Sequence, residues 1–249
     1  MLSGNFPRFE NALLSRLSDY DLDQLGPLQW VELAPHNALE VANRDVESVY
    51  FIERGFASVV ADDVEGGIIE VGLIGREGMT GLSVVHGAEH SPFSTFVQGA
   101  GSAVRVEPDI LREAMRASWP MQQLFMRYAQ AFSIQVASTA SANGLLLLEQ
   151  RVARWLLMVG DRLGESFQIT HEFLAVMLAV RRAGVTRALQ DLEARGLIRT
   201  MRGVVVITDR DGLSAFTNGA YGVAEREYEV LLGDMDFTVD ERRRRRVGT

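Results

Sequence analysis

The segment from Ile169 to Asp209, ITHEFLAVMLAVRRAGVTRALQDLEARGLIRTMRGVVVITD, constrains the fold of this chain more than any other. Thr170 is placed to cap a helix HEFLAVMLA whose Leu174, Ala175 and Leu178 share one face. A break at Val180 leads into a second helix, from about Arg181 to Arg195, which turns Val185, Leu189 and Leu192 inward. Small residues at Ala175 and Ala179, with Val185 on the second helix, suit two short helices crossing at a steep angle. The following RGLIRTMRGVVVI reads as two short strands hinged at Arg202-Gly203. Two crossed helices and a β-hairpin make a winged helix-turn-helix. In that arrangement the second helix enters a DNA major groove. Its outward residues Arg181, Arg182, Thr186 and Arg187, with Gln190 further along, are expected at base edges. Arg can pair with O6 and N7 of guanine, and Gln can read adenine. Thr170, His171 and Arg202 lie where phosphate contacts are expected.

Net charge is −8, which taken alone argues against a nucleic-acid partner, but its distribution reverses that impression. Residues 1–150 carry 9 Arg against 19 acids, whereas residues 151–210 carry 10 Arg against 6 acids. An acidic half joined to a basic module is the pattern of a protein that meets phosphates with one domain. Every basic residue is Arg, a bias that a GC-rich genome can produce and that carries little functional weight.

Upstream the texture differs. Residues 6–25 space Leu13, Leu14, Leu17, Leu22 and Leu25 for two short helices, with Ser18 or Asp19 as a cap between them. From Trp30 to about Arg105 the pattern is β. Two runs, Val49 to Glu53 and Ala57 to Ala61, hinge at Arg54-Gly55, and Glu65-Gly66-Gly67 signals a turn before IIEVGLI. Glycines punctuate residues 72–87, and STFVQGAGSAVRVEP supplies two further strands, so the whole reads as a β-sandwich or roll. Pro108 opens a helix, and a long one follows from residue 119 to 146. Its apolar residues form a stripe broad enough to face two things. Met121, Leu124, Phe125, Tyr128, Phe132 and Gln135 are the expected seam of a homodimer, backed by the roll.

Taken together the chain is read as α+β. A sensory β-roll with N-terminal helices (1–118) is followed by a dimerisation helix (119–146), a winged helix-turn-helix domain (147–235) and a basic tail (236–249). The helix-turn-helix through the wing, together with YFIERGFASVV, resembles the cyclic-AMP receptor protein / fumarate-nitrate reduction regulator (Crp/Fnr) family over roughly residues 25–210. The resemblance implies a transcription regulator, a homodimer on a two-fold-related double-stranded DNA site, an N-terminal sensor, and contact with RNA polymerase. Two departures matter. Members that bind cyclic nucleotide usually hold the ribose with Glu and the phosphate with Arg-Ser or Arg-Thr. Here Met79 stands near the Glu position in REGMTGLSVV, and no Arg occurs between Arg76 and Arg105. A phosphate buried there would lack a cation. The effector is therefore expected to be something other than cyclic nucleotide, and its identity is not legible. Ala183 also replaces a Glu frequent between the arginines of the recognition helix, which removes an acceptor for cytosine.

Other chemistry finds little support. The chain has no cysteine, which excludes thiolate-held zinc and iron–sulfur clusters. His86 and His90 have the spacing of a helical metal pair, but VVHGAEHSPF reads as loop. LIGREGMTG lacks the Gly-Lys-Ser/Thr of a phosphate loop, and no catalytic triad or carboxylate pair stands out, so no enzyme is expected. No basic apolar leader and no membrane-length apolar run is present, so a cytoplasmic location without membrane contact is expected. The terminal ERRRRRVGT is read as a solvated tail able to add sequence-independent phosphate affinity. The alternative function is a small-molecule sensor acting through protein contacts, its DNA module vestigial.

Overall fold

The computed structural model describes residues 9–62 and 67–233. They fall into two compact units, one built from residues up to 61 with 73–132 and 231–233, the other from residue 62, 67–72 and 133–230.

The first unit is a roll of antiparallel strands. β1 (Gln29–Leu33), β2 (Ala38–Glu40), β3 (Val49–Asp62), β4 (Ile68–Ile74, of which Leu73 and Ile74 belong to this unit) and β5 (Ser94–Val106) follow the order β1-β5-β3-β4, with β2 also on β5. The runs expected as separate strands at 49–53 and 57–61 are one strand, and the two expected between Ser94 and Val106 are also one. Bulges replace the breaks. The β3–β5 register shifts between Ile52 and Arg54, again before Phe56, and once more before Ala57. At that point a Cβ on Gly55 would lie 2.3 Å from Gly99 O, and one on Gly101 would lie 1.9 Å from Arg54 O. Glycine lets the two backbones meet there, so the strands bend without parting. The turn expected at Glu65-Gly66-Gly67 lies mostly outside the described residues.

Around the roll stand α1 (Asp19–Gln24), the short α2 (Leu82–Val85), α3 (Pro108–Ala117) and the first part of α4 (Trp119–Leu145). Ser18 caps α1, its hydroxyl accepting from Asp21 N. Asn11 pins the N-terminal segment: its Nδ2 donates to Ile52 O and Gly78 O, and its Oδ1 accepts from Leu13 N and Leu14 N. Phe51, Ile52, Met79, Val97, Val104 and Leu111 are fully buried at the centre.

On α4 the six residues expected at the dimer seam divide by burial. Met121, Phe125 and Tyr128 are buried within the protomer, and the Phe125 ring lies 5.6 Å from that of Phe51. These three therefore belong to the core of the roll and have no surface left for a partner. Leu124, Phe132 and Gln135 flank the same side and are half-buried. At 100° per residue the free side of the helix is the opposite one, through Met126, Gln130, Ala137 and Ser141. A helix apolar on a broad arc does not reveal from spacing alone which part of the arc meets its own sheet.

The second unit contains α5 (Leu148–Leu163), β6 (Ser166–Gln168), α6 (His171–Met177), α7 (Arg182–Ala194), β7 (Ile198–Met201), β8 (Val204–Ile207), α8 (Arg210–Phe216) and α9 (Val223–Leu232). The strands pair antiparallel in the order β6-β8-β7. α5 is its axis, buried without interruption from Val152 to Arg162. Three of those residues are charged, and each meets a partner; Arg162 Nη1 donates to Met158 O at 2.5 Å. Arg154 Nε donates to Ala220 O at 3.1 Å and its Nη1 to Thr139 Oγ1 at 3.2 Å. Asp161 pairs with Arg210 and accepts from Tyr221 OH, 2.9 Å from each carboxylate oxygen. Burial pushes the Asp161 carboxyl up to about 6, against the opposing pull of Arg210 and Arg162. The α8 cap is Asp209, whose Oδ1 accepts from Gly212 N at 2.9 Å.

Candidate nucleic-acid interface

Thr170 precedes α6 in an extended conformation, and its hydroxyl accepts from Phe173 N at 3.1 Å. That bond satisfies one of the donors a helix start leaves open. α6 ends against Ala179, which takes a left-handed φ of 51°, while Val180 N donates back to Ala175 O at 2.9 Å. This reversal in one residue forms the tight turn between the two helices.

α7 runs for 13 residues and buries Val185, Ala188, Leu189 and Leu192. Its outward line is Ala183, Arg187, Gln190 and Ala194, all exposed and spaced i, i+4, i+7, i+11. Arg187 and Gln190 are thus the expected base readers that stand on the crest of the helix, with Ala183 leaving room between them and the helix start. Arg181 is the N-cap residue and makes no side-chain capping bond, so the first turn keeps free N–H groups pointing out of the helix start. Arg182 is exposed beside it, 3.8 Å from Glu172 Oε2, a solvent-screened pair of small energetic weight.

Two of the expected contact residues are tied to each other. His171 Nδ1 lies 2.9 Å from Thr186 Oγ1, which is also 3.2 Å from Arg182 O. The threonine has one hydroxyl proton. When it goes to Arg182 O, the imidazole N–H must donate to the threonine oxygen. The pair therefore fastens α6 to α7 and sits on the flank of the reading line, not its crest.

Arg202 occupies the hairpin tip between β7 and β8. Arg202 and Gly203 have φ of 44° and 81°, the double positive φ of a two-residue type I′ turn, and Arg202 is exposed. The wing is fixed to α7 by Glu193, which accepts from Thr200 N at 2.7 Å and from Thr200 Oγ1 at 2.9 Å. Those bonds hold the Glu193 carboxyl below its ordinary range. At the base of the domain, Arg151 clamps three elements: Nε donates to Asn143 Oδ1 at 3.0 Å, and Nη2 to Leu178 O at 2.6 Å.

Glu193, Arg151 and the Asp161–Arg210–Tyr221 cluster were not anticipated. For Arg151 and Asp161 the signal was present as charged residues inside the apolar period of LEQRVARWLLMVGDRL, where a core position occupied by Arg or Asp demands a partner; Glu193, Arg210 and Tyr221 lie outside that segment. Of the histidines, His86 caps α2 at its C-terminal end and His90 forms an isolated bridge with Asp45, and among the described residues no group of His, Asp and Glu could hold a metal ion. The arginine tail lies outside the described residues.

Such a domain, a crossed helix pair with an exposed reading helix and a wing, defines the class of winged helix-turn-helix DNA-binding proteins. More narrowly, residues 150–216 match the Crp-like helix-turn-helix domain family, and the chain has the fold of Crp/Fnr transcription regulators. A Crp/Fnr-family regulator from Eubacterium rectale is 19% identical, covering 83% of this chain and 98% of its own, with a TM-score of 0.66. FixK2 from Bradyrhizobium japonicum is 14% identical over 76% of this chain and 97% of its own, with a TM-score of 0.67. A regulator of the CRP family from Thermus thermophilus is 20% identical over 76% and 97%, with a TM-score of 0.62. No curated protein matches the sequence. Among the described residues no helix is long and apolar enough to cross a membrane.

Proposed function

We propose that this chain is a homodimeric, sequence-specific transcription regulator that responds to a signal other than cyclic nucleotide. The observation that carries the reading is the exposed line of α7, with Arg187 and Gln190 on its crest and Arg181 and Arg182 at its start. Arg187 and Gln190 read bases, and Arg202 and the open first turn of α7 hold phosphates. Two copies related by a two-fold axis would place two such helices on successive half-sites. The free side of α4, around Met126, Gln130 and Ala137, is the surface offered to the second copy; the small Ala137 permits close approach.

A feature inside the roll supports the exclusion of cyclic nucleotide. Beside Thr95, in the HSPFSTF stretch where the family resemblance puts the residues that hold the nucleotide phosphate, the chain supplies its own acceptor, Glu40. Glu40 Oε1 accepts from Gly81 N at 3.1 Å, and Oε2 accepts from Thr95 Oγ1 at 2.5 Å. The carboxyl group takes the donors a phosphate would need, and burial pushes it above the ordinary carboxylate range.

The test is selection of genomic fragments by the purified full chain, followed by affinity measurement on the recovered duplex. Enrichment of a two-fold-related sequence is expected. Retention of every fragment alike, or of none, would contradict the reading and favour a sensor that works through protein contacts.

A further inference from the structure

The hairpin that carries Arg202 has two faces of different character. Alternation along β7 and β8 turns Ile198, Val205 and Ile207 into the domain, where all three are buried, and turns Thr200 toward Glu193. The residues between them stand on the opposite face. There the register sets Met201 beside Val204 and Arg199 beside Val206, and β6 extends the two rungs with Gln168 and Ser166. Met201 is 53% exposed, Val204 and Val206 are half-buried, and Arg199 is exposed. One exposed apolar side chain standing alone calls for no explanation. Here three lie side by side on one sheet face, edged by Arg199 and ending at Arg202.

This hairpin is held from two directions. Glu193 ties Thr200 to α7, and Gly203 O accepts from Ile169 N at 2.8 Å, one residue before the Thr170 cap of α6. The tip therefore sits at the start of α6 and loses little freedom on meeting a partner. The chemistry of the face selects that partner. Phosphates alone would be met by polar and basic side chains. The apolar surface of DNA is the deoxyribose wall of the minor groove, which accepts Met, Leu and Phe as wedges. Arg199 and Arg202 complement the phosphates that edge the groove. The apolar rung is also continuous in sequence and in space with Arg202, on the surface already turned to DNA.

We propose that the wing tip enters the minor groove beside the half-site read by α7, with Met201 and Val204 against the deoxyribose walls while Arg202 holds a phosphate. The inference rests on DNA reading by α7 and adds a second determinant, the base pairs next to the half-site. A G·C pair puts the guanine N2 amine on the floor of the minor groove, where an A·T pair has none. The wing should therefore favour flanks that lack this amine.

The full chain would be bound to duplexes in which the selected half-sites are kept and only the flanking pairs change, to A·T, G·C or inosine·C. Inosine·C keeps the guanine O6 and N7 acceptors of the major groove and lacks the N2 amine. A preference of about fivefold for A·T and inosine·C flanks over G·C is expected. Met201→Ala and Met201→Gln should each lose that preference and open the flanking deoxyriboses to hydroxyl-radical cleavage. Both variants should keep the parent's ratio of selected to scrambled affinity and its slope against salt. A parent that prefers the selected half-sites but ranks the three flanks alike overturns the inference and leaves reading by α7 standing. So does a flank preference that survives in both Met201 variants. A parent with no preference for the selected half-sites overturns the reading by α7, and the inference with it.

Discussion

Two neighbouring residues of α4 should respond to substitution in opposite ways. Phe125 is fully buried against Phe51, whereas Met126, about 100° further round the helix, is 43% exposed. Phe125→Ala removes a packed ring from the roll and should cost about 3–5 kcal/mol of folding stability. For a chain of this size each kcal/mol lowers the melting temperature by about 2–4 °C, so a loss of roughly 6–20 °C is expected. Met126→Asp removes little buried surface from the protomer and should change its intrinsic stability by about 0.5 kcal/mol. Placed on the free side of the helix, however, the new carboxylate would meet its own copy across a two-fold axis. That repulsion, with burial of an unpaired charge, should shift the dimer toward monomer by at least tenfold. Sedimentation velocity over a dilution series reads the second effect, and urea unfolding at matched chain concentration reads the first. The reasoning is refuted if Phe125→Ala gives a monomer with an unchanged unfolding midpoint, or if Met126→Asp leaves the dimer intact.

Further outcomes are expected elsewhere. Cyclic AMP and cyclic GMP should show no micromolar binding by calorimetry, because Glu40 holds Gly81 N and Thr95 Oγ1; a two-site titration per dimer would contradict this. Asp161, raised to about 6 from an ordinary 3.8, holds its proton in the folded state at pH values where the unfolded chain has lost it. Its contribution to stability is therefore full below about pH 4 and declines as pH rises to about 6, by at most about 3 kcal/mol. Asp161→Asn should flatten urea midpoints across that window, and a profile identical to the parent would count against the assignment. Thr170→Ala loses the α6 cap and should cost about 1 kcal/mol in the same assay, with no change at all as the contrary result.

The recognition domain was legible in the sequence because its signals are local. A cap at Thr170, a break at Val180 and a turn at Arg202-Gly203 each depend on residues a few positions apart. What escaped depends on distant pairings. Whether β3 breaks or bulges at Gly55 is decided by glycines some forty residues away on β5, and which side of α4 meets the roll is decided by Phe51. The anchors of the winged domain escaped for the same reason: Asp161 finds Arg210 and Tyr221 across separations of 49 and 60 residues. Glu40 was hidden too, since nothing in its neighbours announces that its carboxylate closes on Gly81 and Thr95.

The division of labour along α7 and the wing is the central claim, and one set of affinities tests it. Binding of the selected duplex and of a scrambled one would be measured at several salt concentrations for Arg187→Ala, Gln190→Ala and Arg202→Ala. Arg187 and Gln190 on the crest of α7 should each lose about 1–3 kcal/mol of preference for the selected sequence. Arg202 at the wing tip should weaken both duplexes alike and reduce the slope of log affinity against log salt by about one unit. If the two crest variants keep the parent's ratio of selected to scrambled affinity, α7 does not read the DNA and the account fails.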